Sequence, residues 1–175
     1  MLKLSKSLVS QPVMSLRSGS RIGLAIAPII NPHNLKILGW WCKGPSDKRQ
    51  VLLSEDVREA TPSGLAVNDE EALSSAEDLV RHKEILDVRF ELMDKQVKTK
   101  RQKLGKVSDY SYNDGMFVQK LYVARPLHKV FTSEDTLIID RTQILEVTDH
   151  YILVRDSEIR ATAEELAGAG AVAGT

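Results

Sequence analysis

Apolar residues along this chain fall in short runs separated by turn residues. Val118-Gln119-Lys120-Leu121-Tyr122-Val123, Leu137-Ile138-Ile139 and Tyr151-Ile152-Leu153-Val154 are rich in β-branched and aromatic residues. They are bounded by Asn113-Asp114-Gly115, Asp140-Arg141 and Thr148-Asp149-His150, the punctuation of strands joined by tight turns. The first half has the same rhythm, broken at Asn31-Pro32-His33-Asn34, Lys43-Gly44-Pro45-Ser46 and Thr61-Pro62-Ser63-Gly64. Short strands, frequent turns and no sustained helical period predict a mainly β chain arranged as a small barrel or sandwich. One stretch differs. Ser74 followed by Glu77 forms a capping-box pattern, and Ala76, Leu79 and Val80 continue at helical spacing, which predicts a short helix starting there. Glu70, Glu71, Arg81, Lys83 and Glu84 give that stretch the solvated face of a linker. Beyond residue 161 the run Ala167-Gly168-Ala169-Gly170-Ala171-Val172-Ala173-Gly174 is low in complexity, and the tail is expected to be disordered.

The strand rhythm is written twice. At an offset of 82, Ile22 meets Leu104, Gly23 meets Gly105, and Leu35 to Cys42 falls on Phe117 to Ala124. At an offset of 87, Val57 meets Ile144, Glu59 meets Glu146, Thr61 meets Thr148, Val67 meets Val154 and Asp69 meets Asp156. The second copy therefore carries five extra residues around Arg125 to Asp135, where a loop tolerates them. The expected organisation is a first domain at 8–69, a linker with a short helix at 70–85, a second domain at 86–156 and the tail at 161–175.

Composition narrows the function classes without naming one. Twenty-four Lys and Arg balance twenty-four Asp and Glu, so net charge advertises no polyanionic partner. The most apolar stretch, Leu24 to Ile30, contains Pro28 and is far short of the roughly 20 residues that span a bilayer. No membrane span is expected. The N-terminal residues lack the apolar core of a signal peptide, and the single cysteine, Cys42, has no partner for an internal disulfide. A cytoplasmic location is the expectation.

The stretch Val97-Lys98-Thr99-Lys100-Arg101-Gln102-Lys103-Leu104-Gly105-Lys106-Val107-Ser108-Asp109 resembles the opening of the PRC-barrel family. There a valine-bearing strand leads through a tight turn into a leucine-glycine-lysine-valine-x-aspartate strand. Pro12 to Gly23 is similar to a degenerate version of the same opening, with Gly19 as its turn glycine. Copy two has Arg101 at that place, so its hairpin is expected to be longer or more strained. Leu137 to Val147 resembles the closing segment of the family. The resemblance covers about 8–156 and implies two small PRC-barrel-like β-barrels in tandem. Such barrels are similar to the cytoplasmic domain of the photosynthetic reaction centre H subunit and to the C-terminal domain of the ribosome maturation factor M family. What this implies is a non-enzymatic binding or assembly module with a protein partner, although a fold does not settle a function.

Candidate chemistry is sparse. His33, His82, His128 and His150 are scattered, and Cys42 stands alone, so no zinc site and no cofactor are expected. His33 and His150 read as turn residues. Lys95, Lys98, Lys100, Arg101, Lys103 and Lys106 form the one strong charge cluster. It is either a solvated hairpin that resists edge pairing or a row in which Lys98, Lys100, Arg101 and Lys103 contact phosphates. The second reading makes the protein an RNA-binding or ribosome-maturation factor. An enzyme of unseen type is a third class. Trp40 and Trp41 are adjacent on one strand, so one indole must leave the interior. The offset of 82 matches Trp40 to Tyr122, alongside pairs containing lysine, and this predicts that Trp40 and Tyr122 face outward. They would then either fasten the copies together or form a partner surface.

Overall fold

The structure is a computed structural model that describes residues 1–45, 49–125 and 136–156. The centre of the insertion and the Ala/Gly-rich tail at 161–175, with its expected disorder, lie outside the described residues. The described residues are mainly β, with two sheets each curled into a half-barrel and one short α-helix. The chain divides into two compact units. Unit 1 takes Lys3–Phe90 together with Asn113–Phe117, and unit 2 takes Glu91–Tyr112 and the chain from Val118 onward.

Unit 1 contains β1 (Lys3–Leu4), β2 (Gln11–Ser15), β3 (Arg21–Ile30), β4 (Ile37–Lys43), β5 (Arg49–Leu53), β6 (Val57–Thr61), β7 (Gly64–Val67) and β8 (Leu73–Ser75). Its sheet runs β6-β7-β2-β3-β4-β5-β8, with β2 and β7 parallel and the other neighbours antiparallel. Helix α1 (Lys83–Val88) follows. Unit 2 contains β9 (Gln96–Lys98), β10 (Lys103–Tyr112), β11 (Val118–Ala124), β12 (Thr136–Asp140), β13 (Ile144–Val147) and β14 (Tyr151–Val154), in the order β12-β11-β10-β9-β14-β13. Again one pair is parallel, β9 with β14. Among the described residues no helix is long and apolar enough to cross a membrane.

Both sheets solve curvature in the same way. The ten-residue strands β3 and β10 each carry an irregularity between Ala25 and Ala27 and between Val107 and Asp109, and an extra unpaired residue bends a strand and increases its twist. The extra residues, Ile26 and Ser108, are exposed. Alternate positions then line one buried face. In unit 1 this face holds Val13, Ala25, Trp40, Cys42, Leu52, Leu65 and Val67; in unit 2 it holds Val97, Val107, Leu121, Val123, Ile139, Ile152 and Val154.

Three expectations change. The helix does not begin at Ser74, because Leu73–Ser75 is an edge strand paired with β5. Pairing a whole row of backbone groups outweighs a local capping pattern. It is Ser75 whose Oγ accepts the Glu77 N–H, at 3.4 Å, closing a turn rather than opening a helix. Second, the stretch read as a solvated linker is amphipathic. Ala76, Leu79, Ile85 and Leu86 join Ile29, Val51, Trp41 and Leu53 in a hydrophobic cluster, while Glu77, Asp78, Lys83, Glu84 and Asp87 face water. Third, the β9–β10 hairpin is shorter than its counterpart, not longer. The Thr99 N–H donates to the Gln102 carbonyl at 2.9 Å, and buried Thr99 Oγ1 accepts from the N–H groups of Arg101 and Gln102, both at 3.2 Å. Arg101 keeps an ordinary negative φ, whereas Gly19 in the longer β2–β3 turn sits at +66°. A serine or threonine hydroxyl that closes a turn removes the need for a left-handed residue.

Candidate interaction surfaces

The register of β4 decides which tryptophan is presented. Pro28 pairs with Trp40 as Tyr110 pairs with Leu121, Ala25 pairs with Cys42 as Val107 pairs with Val123, and Ile30 pairs with Ile37 as Tyr112 pairs with Val118. β3 thus corresponds to β10 at an offset of 82 and β4 to β11 at 81. A one-residue shift moves every side chain to the opposite face. Trp40 is consequently the counterpart of Leu121 and lies in the core at 3% exposure; the outward expectation for Trp40 is corrected. Its Nε1 has no acceptor among the described residues. The counterpart of Tyr122 is Trp41, and both are half-buried.

Trp41 packs on the cluster beneath α1, and the Arg49 guanidinium lies 5.4 Å from the centre of its ring. The next pair along the same two strands is Lys43 with Arg49. Lys43 also borders an open depression of about 320 Å³ that reaches Arg21, Gly23 and Gly44. Arg21, Lys43 and Arg49 are all exposed. Three exposed cations thus stand at the ends of β3, β4 and β5, with Arg49 over the Trp41 ring, Lys43 paired to Arg49 and Arg21 on the same depression as Lys43; tryptophan and arginine are among the residues enriched where interfaces carry most of their binding energy.

The basic hairpin of unit 2 is only partly available to a ligand. Lys98 Nζ lies 3.7 Å from the centre of the Tyr151 ring. Arg101 Nε is 3.4 Å from Asp156 Oδ2. Lys95 Nζ donates to the Asp149 carbonyl at 2.6 Å, and burial lowers its pKa, with the nearby charges of Asp149 and Glu91 acting the other way. Lys100, Lys103 and Lys106 are exposed. Of the four residues expected to contact phosphates, Lys98 and Arg101 are engaged within the unit, whereas Lys100 and Lys103 are exposed and make no ion pair or ring contact among the described residues.

The remaining polar groups do structural work. Asp140 Oδ1 accepts from the Thr142 N–H at 3.0 Å, and Gln143 Oε1 accepts from the Asp140 N–H at 2.6 Å, a complete capping box over the 3-10 turn Arg141–Gln143. The His33 N–H donates to Asn31 Oδ1 and the His150 N–H to Thr148 Oγ1, so both histidines sit in side-chain-closed turns. The Cys42 thiol donates to the Trp40 carbonyl at 3.7 Å, and burial pushes its pKa up to about 12; a thiol this withdrawn is no nucleophile at neutral pH. Among the described residues no three His, Cys, Asp or Glu side chains converge as metal ligands would.

Sequence spacing could not reveal the patch of Arg21, Lys43 and Arg49, because its members come from three strands and meet only through strand pairing. The one available signal was the alternation around Trp41, which the offset of 82 assigned to the wrong face. No family model and no curated protein matches this sequence.

Proposed function

We propose that this chain is a non-enzymatic protein-interaction or assembly module of the tandem PRC-barrel type, and that it engages an acidic protein surface through unit 1. The observation that carries this reading is the Arg49 guanidinium held over Trp41, with Lys43 paired beside Arg49 and bordering, with Arg21, an open depression. Both core faces are filled by the chain's own side chains, so recognition falls to the outer surface. An aromatic ring with flanking cations favours carboxylate-rich partners by charge complementarity.

The test is affinity purification from the native cell with the full chain and with Lys43→Glu/Arg49→Glu. A specific protein recovered by the unaltered chain and reduced at least about ten-fold by the pair, with an unchanged melting temperature, supports the reading. If the recovered material is RNA, is lost in high salt and depends on Lys100 and Lys103 instead, the ribosome-maturation alternative replaces it.

A further inference from the structure

The two sheets end differently on one side. In unit 1 the outer edge of β5 is covered by β8, with Gln50 opposite Ser75, Val51 opposite Ser74 and Leu52 opposite Leu73. The chain then turns, Asp78 N–H to the Ser75 carbonyl at 3.1 Å, and Ala76 and Leu79 pack on the cluster of Ile29 and Val51. In unit 2 the counterpart of β5 is β12, which is the last strand of its sheet and has no neighbour on its outer edge among the described residues. An uncovered edge presents a row of unpaired backbone groups, which soluble proteins ordinarily cover or blunt.

The sequence supplies the missing cover. The offset of 87 that relates β6 and β7 to β13 and β14 continues without a gap past residue 156. Asp69 meets Asp156, Glu71 meets Glu158, and Ser75-Ala76-Glu77-Asp78-Leu79 meets Thr162-Ala163-Glu164-Glu165-Leu166. The hydroxyl of the turn, the acidic pair and both apolar residues that pack in unit 1 recur in order. The correspondence ends after Ala167, where Gly168 and Gly170 stand in place of Arg81 and Lys83; glycines disfavour a second α1. The spacing also fits. Five residues separate β7 from β8, Asn68 to Ala72, and 155–159 are their equivalents. Arg160 in the place of Leu73 is the discordant position, with Ile159 immediately before it.

From these observations we infer that the outer edge of β12, with Tyr122 and Ile138 beside it, is the docking surface for residues 157–167 of the same chain. Ile138 is half-buried and occupies the place of Val51, as Tyr122 occupies the place of Trp41. The register carried over from unit 1 sets Thr162 opposite Leu137, Ala161 opposite Ile138 and Arg160 opposite Ile139. Ala163 and Leu166 then meet Tyr122 and Ile138. This inference does not depend on the interaction surface assigned to unit 1.

The test is amide hydrogen exchange of the full chain, of a chain ending at Asp156 and of a chain ending at Ala167. Residues 136–140 should exchange at least about ten-fold faster in the shortest chain and unchanged in the chain ending at Ala167, while 49–53 in unit 1 serve as the internal reference. Should the shortest chain unfold throughout unit 2, Leu166→Asp in the full chain decides the matter, because it should release 136–140 without altering exchange in β14. Equal protection of 136–140 in every chain overturns the proposal. So does protection that rises with protein concentration, which would assign the segment to a second copy.

Discussion

Unit 1 carries Trp40 and Trp41 where unit 2 carries Leu121 and Tyr122, and the two units use these positions differently. In unit 1 the core side takes the larger ring, with Ala25 and Cys42 as small neighbours on the same face. In unit 2 the core side takes Leu121, and the bulk comes from Tyr110 and Val107 on the adjacent strand. One core volume is thus filled from opposite strands, which close packing requires when a large residue appears on one side. On the outer side the contrast is chemical. Ile29, Trp41, Val51 and Leu53 form an apolar seat for α1 and the preceding turn. Their counterparts in unit 2 are Ser111, Tyr122, Ile138 and Asp140. A duplicated sheet keeps its inward pattern while its outward pattern diverges, because only the inward one is constrained by filling a closed volume.

The largest effect that would break this comparison is at Trp40. Trp40→Ala should destabilise unit 1 by about 3–5 kcal/mol, whereas Tyr122→Ala should cost only about 1 kcal/mol in unit 2. Calorimetry reads both, and equal losses would return the two residues to equivalent positions. Trp40→Phe should cost far less than Trp40→Ala, since it removes an indole N–H that lacks an acceptor among the described residues.

Glycine gives the next contrast. Gly105 sits at φ +151° and a Cβ there would overlap the Ala124 carbonyl oxygen, whereas a Cβ on its counterpart Gly23 would stand 3.1 Å from the Lys43 carbonyl oxygen. Gly105→Ala should therefore cost on the order of 3 kcal/mol and Gly23→Ala about 1 kcal/mol in urea unfolding.

Alkaline pH should separate the units more gently. The Cys42 thiol is raised from 9.0 to about 12 by burial, so above pH 9 the unfolded chain loses a proton that folded unit 1 retains. Stability is full below pH 9 and falls as pH rises through that window, by between about 1 and 2 kcal/mol at pH 10. Tyr110 in unit 2 is likewise raised by burial, from 10.0, so its loss begins about one pH unit higher. Unit 1 should melt first on alkaline titration followed by circular dichroism, and Cys42→Ala should delay it.

The smallest contrast is at the 3-10 turns. Asp140 caps its turn in unit 2, while Leu53, its counterpart, makes no side-chain cap and contributes apolar packing. Asp140→Ala should cost about 1 kcal/mol, with the loss confined to unit 2 in hydrogen exchange.

Much of the architecture was legible in the chain. The repeat placed Gly23 with Gly105 and Val67 with Val154, and the turn residues at Asn113-Asp114-Gly115 and Thr148-Asp149-His150 marked real turns between strands. These signals are local, or are repeated patterns that a linear comparison can find. The helix start failed because Ser74 and Glu77 satisfy a local rule that strand pairing overrode. The surface failed for a different reason. Trp40 and Trp41 are adjacent, and the choice between them turned on a single residue of register between β3 and β4.

The amino-acid sequence by itself determined a mainly β chain, its duplication and the turn chemistry that separates its strands, because alternation and turn preference are set by neighbours along the chain. Only the tertiary structure decided that Trp40 is core, that the Arg49 guanidinium stands over Trp41 with Lys43 paired beside it, and that residues 76–86 pack on the sheet of unit 1. The physical reason is that a strand's two faces are interchangeable until it pairs. Hydrogen-bond register with its neighbours, more than residue type, assigns inside and outside.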